Sequence, residues 1–299
     1  MYVQARRQLR TVRDALRFAV SRFNEAELAF GHGTENAFDE AAYLILHALH
    51  LPLDRLDPFL DATLTASELG SVLDLVERRV VERVPAPYLT REAWLGDVRF
   101  YVDERVIVPR SFIADLIREG MSPWLPDDAP IARALDLCTG SGCLAILLAL
   151  QYPQARVDAA DLSDAALAVA ARNVRDFRLE DRIDILRSDA FAGLHGRQYD
   201  LIVSNPPYVT DVAMAALPAE YRREPAIALA GGPDGMDVVR AIVKESAGHL
   251  TEHGLLVVEV GGNRTFVEAA FPDLAFTWPE TSAGADRVFV ASRAELPGG

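Results

Sequence analysis

The sequence predicts an α/β protein, a doubly wound and mostly parallel sheet preceded by a small helical domain. Three observations predict it. Strand-like and helix-like segments alternate from residue 131 almost to the end, which is the pattern of an open sheet covered on both faces. The first of those strands runs into a glycine-rich turn, Gly140-Ser141-Gly142, where a helix begins. The first eighty-odd residues repeat apolar positions at helical spacing. A chain of 299 residues suits two domains. The expected division is a helical domain over 1–86, a linker with a β-hairpin over 87–130, and the sheet domain over 131–299.

Leu9, Val12, Leu16, Val20 and Phe23 form one apolar stripe of a first helix. A second is expected from Asp39 to Leu49. The third opens with Thr65-Ala66-Ser67-Glu68, a capping box in which hydroxyl and carboxylate satisfy free backbone N–H groups. Its stripe is Leu69, Leu73, Val76, Val80 and Val84, and Pro85 and Pro87 should stop it. Val98, Phe100 and Val102 alternate with polar residues, and Val106 and Val108 resume the pattern, so Trp94 to Val108 reads as a short hairpin. Ser122-Pro123 and the run from Pro126 to Pro130 read as a linker. Strands are then expected over 134–138, 156–161, 183–187, 200–204, 254–261 and 287–292. Helices are expected over 142–151, 164–176 and 238–250, and near Phe266.

Composition narrows the function classes. Half the residues are hydrophobic and a quarter charged, as in globular proteins. The longest apolar run, Cys143 to Leu150, falls well short of the roughly 20 residues that span a bilayer. No apolar block follows Arg6, Arg7 and Arg10, so neither a membrane span nor a secretory signal is expected. Thirty basic residues against forty-four acidic ones leave a charge of −14. That balance disfavours direct nucleic-acid binding and suits a small molecule or a basic protein partner. The pairs Arg78-Arg79 and Arg222-Arg223 read as solvated faces. Cys138 and Cys143 are too few for a disulfide framework or a structural zinc site, and no ligand cluster joins His47 and His50. No metal is expected, and reduced thiols suit the cytoplasm. The oligomeric state is left open.

Ligands bind such sheets at the carboxyl ends of the strands. The first strand ends in Asp136-Leu137-Cys138-Thr139-Gly140-Ser141-Gly142-Cys143, a turn that lets a ligand approach the backbone. The second ends in Asp161, about twenty residues beyond Gly140, where a carboxylate accepts hydrogen bonds from ribose hydroxyls. An adenosine-containing cofactor follows. The pattern G-x-G-x-x-A over Gly140 to Ala145 also suits dinucleotides, so a nicotinamide oxidoreductase stays open. Neither a G-x-x-x-x-G-K loop nor a G-x-S-x-G elbow is present. The fourth strand runs into Asn205-Pro206-Pro207-Tyr208. The prolines remove N–H donors but keep carbonyl acceptors, Asn205 adds a side-chain acceptor, and Tyr208 adds an aromatic face. Together they suit a planar NH₂ group.

The loop from Asp136 to Cys143, Asp161, Ser188-Asp189 and Asn205 to Tyr208 resemble class I S-adenosylmethionine-dependent methyltransferases that modify planar amino groups. Pro87-Tyr88-Leu89, Phe100 to Ser111, Glu224-Pro225 and Val260-Gly261-Gly262-Asn263 narrow the resemblance to protein-glutamine N-methyltransferases, from about residue 10 to 295. Pro109-Arg110-Ser111 and Cys138 resemble the branch acting on large-subunit ribosomal protein three, whereas the release-factor branch typically reads Pro-Arg-Pro-Glu-Thr. The family commonly has proline after Arg-Ser, and Phe112 departs from that. The resemblance implies a Rossmann-like fold whose late strand, 287–292, is antiparallel. It implies S-adenosyl-L-methionine whose methionine part packs against the backbone of Cys138, Thr139, Gly140, Ser141 and Gly142, with Asp136 orienting either the loop or a cofactor group and Asn205 beside the cofactor. Asp161 would take the ribose, and Asp189 or Ala190 would lie near the adenine. Asn205 and Pro206 would accept the substrate N–H groups, with Pro207 and Tyr208 completing the catalytic site. The helical domain would dock a basic ribosomal protein. A release-factor substrate is the alternative, and an adenine nucleic-acid methylase is more remote. Arg110 is open between a ligand contact and a structural ion pair.

Overall fold

The computed structural model describes residues 1–125 and 130–299, and most of the expected Pro126–Pro130 linker lies outside them. The chain forms two units, Met1–Ala93 with Leu217–Arg223, and Trp94–Ala216 with Glu224–Gly299. The first is helical: α1 Tyr2–Gln8, α2 Val12–Glu25, α3 Ala37–Ala48, α4 Ala66–Val81 and α5 Ala86–Thr90. Three starts are fixed by side-chain caps. Thr11 and Asp14 form a capping box on α2, Asn36 accepts from the Phe38 and Asp39 N–H groups on α3, and Thr65 and Glu68 form the expected box on α4. The Thr11 cap starts a new helix, so Leu9 ends α1 instead of joining the stripe of α2. Pro85 and Pro87 do not leave extended chain. They sit at the start of α5, where a missing N–H costs nothing.

The stripe of α4 departs from its expected course. Leu69, Val72, Leu73 and Val76 are buried as an apolar face requires, but the next buried position is Arg79, not Val80. Arg79 is therefore no solvated cation. Its Nε donates to Glu40 at 2.6 Å, Nη1 to Glu220 at 3.3 Å and Nη2 to the Ala29 carbonyl at 2.9 Å. Arg83 donates to the same Glu220 oxygen at 3.1 Å, and the Thr34 hydroxyl donates to Glu40 at 3.1 Å. Glu220 belongs to Leu217–Arg223, the segment that returns to this unit from far along the chain.

The second unit begins within a hairpin of β1 Glu92–Leu95 and β2 Val98–Tyr101. Val106 and Val108 extend no strand. Each is 1% exposed in irregular chain, and the Val108 N–H donates to the Glu224 carboxylate instead of to a neighbouring strand. After α6 Ile113–Arg118 come β3 Arg133–Leu137, α7 Cys143–Gln151, β4 Arg156–Asp161, α8 Asp164–Asp176, β5 Ile183–Arg187 and β6 Tyr199–Ser204. Then follow α9 Asp211–Ala216, α10 Asp237–His249, β7 Leu250–Glu259, α11 Arg264–Ala270 and β8 Val288–Ser292. The short helices α6 and α9 are additions to the expected order.

The six-stranded sheet has the order β5-β4-β3-β6-β7-β8, with β8 antiparallel to β7 and the other pairs parallel. Two apolar layers enclose it. One joins Leu144, Leu148, Val157 and Val203, and the other joins Leu135, Ile202, Val239 and Leu256. Strand order reverses at β3. In register, Leu137 lies opposite Ala160 of β4 and Ser204 of β6, so the carboxyl ends of these strands open side by side.

Replacing Arg79 alone leaves the buried Glu40 carboxylate without its arginine partner and Glu220 with Arg83 only. Arg79→Met is expected to lower the unfolding free energy by about 3–5 kcal/mol, read by urea denaturation. A loss below about 1 kcal/mol would put this cluster among the marginal ion pairs.

Candidate active site

The reversal of strand order is occupied by a cavity of about 220 Å³. Its lining includes Cys138 and Gly140 after β3, Asp161 to Ser163 after β4, Ser188 to Ala190 after β5, and Asn205 and Pro207 after β6. Arg105 to Ile107 and Ile227 to Ala230 contribute further walls, with Ala166 and Val238 from α8 and α10. Thus four separate strand ends meet at one void. Of the sequence candidates, Asp136, Thr139, Ser141, Gly142, Pro206 and Tyr208 are not among the lining residues.

The glycine turn is held from beneath. Asp136 is buried, and its Oδ2 accepts the Thr139 hydroxyl at 2.5 Å and the Ala145 N–H at 2.9 Å. Among the described residues its Oδ1 has no hydrogen-bond partner. Burial, with the nearby Asp161 charge adding to it, pushes this carboxyl up to about 7 despite its donors. Cys138 and Gly140 take left-handed φ values of 62° and 55°. A side chain at Gly140 would meet nothing within 4 Å, so its backbone faces open space. Gly142 serves packing instead, since a Cβ there would stand 3.1 Å from that of Ala170. Asn173 of α8 donates to the Ser141 carbonyl at 2.8 Å and fixes the far side of the turn. Burial pushes the Cys138 thiol up to about 12, which keeps it protonated at neutral pH.

Asp161 bridges two loops: the Gly140 N–H donates to Oδ2 and the Ser163 N–H to Oδ1, each at 2.9 Å. Each oxygen keeps acceptor capacity toward the cavity. Burial raises its pKa, and the backbone donors oppose the shift. Ser188 shapes the next turn. Its hydroxyl donates to the Ala190 carbonyl at 2.5 Å and accepts the Gly193 N–H at 2.9 Å, with Ala190 at a φ of 43°. A carboxylate beside an open glycine backbone, with apolar walls from Leu162, Ala166, Ala190 and Val238, is a donor and acceptor set that fits ribose and a flat base.

The segment after β6 is fixed by its backbone. The Asn263 amide donates to the Tyr208 carbonyl at 2.7 Å, and the Val209 N–H donates to the Leu229 carbonyl at 2.8 Å. Three glycines touch Tyr208: a Cβ on Gly231 would lie 2.7 Å from its Cα, one on Gly261 2.8 Å from its ring, and one on Gly235 against its carbonyl. Among the described residues the Asn205 amide has no partner within the protein, so its carbonyl is available to a ligand. Arg110 resolves as an ion pair, donating to both oxygens of the buried Glu224 at 2.6 and 2.7 Å. Glu259, which the sequence reading passed over, accepts the Ser111 hydroxyl at 2.6 Å and the Phe112 N–H at 2.8 Å. The departure at Phe112 has a consequence here, since proline could not donate that N–H. Burial raises Glu259 to about 7. An acidic residue closing a continuous apolar strand, Leu255 to Val258, was the signal for it.

The sign of the pH dependence follows. Between the ordinary carboxylate range near 4 and about 7, the folded chain holds protons on Asp136 and Glu259 that the unfolded chain has released. Stability from these groups is complete below that window and falls as pH rises through it. Asp103 acts outside it: although burial opposes ionisation, hydrogen bonds from Arg105 and Tyr101 hold it near 2. The urea midpoint is therefore expected to drop between pH 5 and pH 8, and Asp136→Asn is expected to flatten the slope. An unaltered slope in the variant would remove Asp136 from the linkage.

Comparison with known proteins adds independent findings. The methyltransferase small domain family profile matches residues 123–220. The ribosomal protein uL3 glutamine methyltransferase of Bordetella pertussis is 56% identical over 97% of this chain and 98% of its own. That of Neisseria gonorrhoeae is 56% identical over 100% of this chain and 99% of its own. That of Bradyrhizobium diazoefficiens is 48% identical over 97% and 93% respectively. Among solved structures, the hMettl16 catalytic domain in complex with a MAT2A 3'UTR hairpin aligns at a TM-score of 0.50 and 16% identity, over 84% of this chain and 89% of that one.

Proposed function

This chain belongs to the ribosomal protein uL3 glutamine methyltransferase family, and from that premise we propose that it transfers a methyl group from S-adenosylmethionine to the side-chain nitrogen of a glutamine in ribosomal protein uL3. The observation that supports this most is the meeting of Asn205 with the Gly140 turn, Asp161 and Ala190 around one cavity. Bound there, S-adenosylmethionine supplies an electrophilic sulfonium methyl group. We assign its ribose to Asp161, its adenine to the apolar wall at Ala190, and its amino-acid part to the turn at Cys138 and Gly140. Asp136 supports that turn from below and is assigned no direct contact with it.

The substrate nitrogen is a poor nucleophile because its lone pair is delocalised into the amide. The Asn205 side-chain carbonyl and the Pro206 backbone carbonyl each accept one of its N–H groups. These bonds fix the amide plane and raise electron density on nitrogen. Tyr208 packs against that plane. As the N–C bond forms and the sulfonium S–CH3 bond breaks to leave a neutral thioether, positive charge would build on nitrogen beside the two acceptors, so they stabilise the transition state more than the ground state. Holding the nitrogen in line contributes part of the roughly 7–11 kcal/mol that proximity can supply. Both acceptors are carbonyls, so the proton lost from nitrogen passes to water. We assign docking of the protein substrate to the helical unit, which the chain leaving Tyr208 enters at Leu217.

Incubation with S-adenosylmethionine and an equal mixture of unmodified uL3 and release factor should add 14 daltons to one uL3 glutamine, read by peptide mass spectrometry. The same gain on the release factor would keep the chemistry and overturn the substrate. Asn205→Ala should abolish turnover and leave cofactor affinity within a few fold. Near-normal turnover would falsify the role of Asn205. Asp161→Ala should weaken the cofactor by about 1–3 kcal/mol in calorimetric titration, and unchanged affinity would remove it from the site.

A further inference from the structure

We propose that Glu259 is a positioning residue for methyl transfer, holding the Tyr208 ring through a carboxylate that Ser111 and Phe112 fix in place. The inference rests on the reading of Asn205 to Tyr208 as the amide site. Glu259 ends β7, is 1% exposed, and follows four apolar residues that are all buried. An apolar side chain would complete that strand without the desolvation cost of a carboxylate. What the carboxylate adds is its contacts. Oε2 accepts the Ser111 hydroxyl and the Phe112 N–H, which together set its plane. Oε1 then faces the Tyr208 hydroxyl at 3.4 Å.

The rest of Tyr208 is already confined. Its carbonyl is tied to Asn263, and its ring lies against Gly261. The hydroxyl is the far end of the ring and the lever that sets its tilt. A separation of 3.4 Å exceeds the usual 2.5–3.0 Å of an O–H···O bond. Such contacts commonly tighten when the reacting complex forms, so the Tyr208 hydroxyl donates fully to Glu259 once the substrate amide is seated. Arg110 also faces Glu259, and Arg110 and Arg287 face Tyr208. Of these, Arg110 favours the ionised Glu259 carboxylate as the acceptor. Because the tether acts on ring tilt and makes no contact with cofactor, its loss should appear in kcat and leave cofactor affinity alone.

The test is a double-mutant cycle on the full chain with saturating S-adenosylmethionine and uL3 varied up to saturation. Glu259→Gln keeps the side-chain shape and one acceptor. It is expected to lower kcat about ten-fold, with KM and calorimetric cofactor affinity within two-fold. Tyr208→Phe removes the hydroxyl. In that background Glu259→Gln should cost nothing further, because the tether is already gone. Effects that multiply in the double variant, or an unchanged kcat in Glu259→Gln, would overturn the proposal. If Glu259→Gln does not fold, Ser111→Ala reads the same tether from its other end. It should lower kcat in the native background and not in Tyr208→Phe, and a loss of equal size in both would overturn the assignment. Loss of turnover in Asn205→Ala is scored separately. If that variant stays active, the amide site itself is misplaced, whatever the cycle shows.

Discussion

Irregular chain above a parallel sheet has backbone N–H groups and no ladder to receive them, and buried donors without acceptors are costly. In the second unit carboxylates receive them. Asp136 takes the Ala145 N–H, Asp161 those of Gly140 and Ser163, Glu224 that of Val108, and Glu259 that of Phe112. Each acid thereby fixes a stretch that borders the cavity or lies just behind it. The walls Arg105 to Ile107 and Ile227 to Ala230 come from distant parts of the chain, yet Glu224 beside the second wall holds the backbone beside the first. The arrangement replaces regular secondary structure with single-point anchors. It also takes these carboxyls out of water, and burial is what pushes Asp136 and Glu259 up to about 7.

The same feature divides the acids by task. Asp161 reaches the cavity with acceptor capacity to spare, whereas Asp136 lies beneath the turn with Thr139 and Ala145 on one oxygen. Thr139, Ser141 and Gly142 are expected from sequence among the cofactor contacts, and Asp136 either there or orienting the loop. The geometry makes them the frame under Cys138 and Gly140. A loop that keeps Cys138, Gly140 and Gly142 in the left-handed region needs such a frame, since only glycine takes that conformation without strain and Cys138 is not one.

Local signals were legible in the sequence, and long-range ones were not. The Thr65-Glu68 cap, the alternation of β3 to β6 with their helices, and the place of Asp161 and Asn205 at strand ends all depend on residues close together in the chain. The burial of Arg79 depends on Glu40 and Glu220, neither of which its own helix contains. Val106 and Val108 alternate like a strand, but their neighbourhood offers a carboxylate and no strand edge. Gly231, Gly235 and Gly261 are distant from Tyr208 along the chain, and only the assembled chain shows Tyr208 lying against all three. Glu259 was hidden for the same reason, because its donors come from a segment before the sheet begins.

The return of Leu217–Arg223 to the helical unit sets an order of events during synthesis. Residues 1–93 leave the ribosome first, and domains generally fold as they emerge. Here the emerging helices carry Arg79 with only Glu40 to meet it, and the second carboxylate, Glu220, is translated after the glycine turn and Asn205 to Tyr208. Until the whole segment bearing the reactive groups exists, the helical unit lacks one carboxylate of its buried ion-pair cluster, so a chain broken off before residue 220 would leave Arg79 and Arg83 without that shared acceptor.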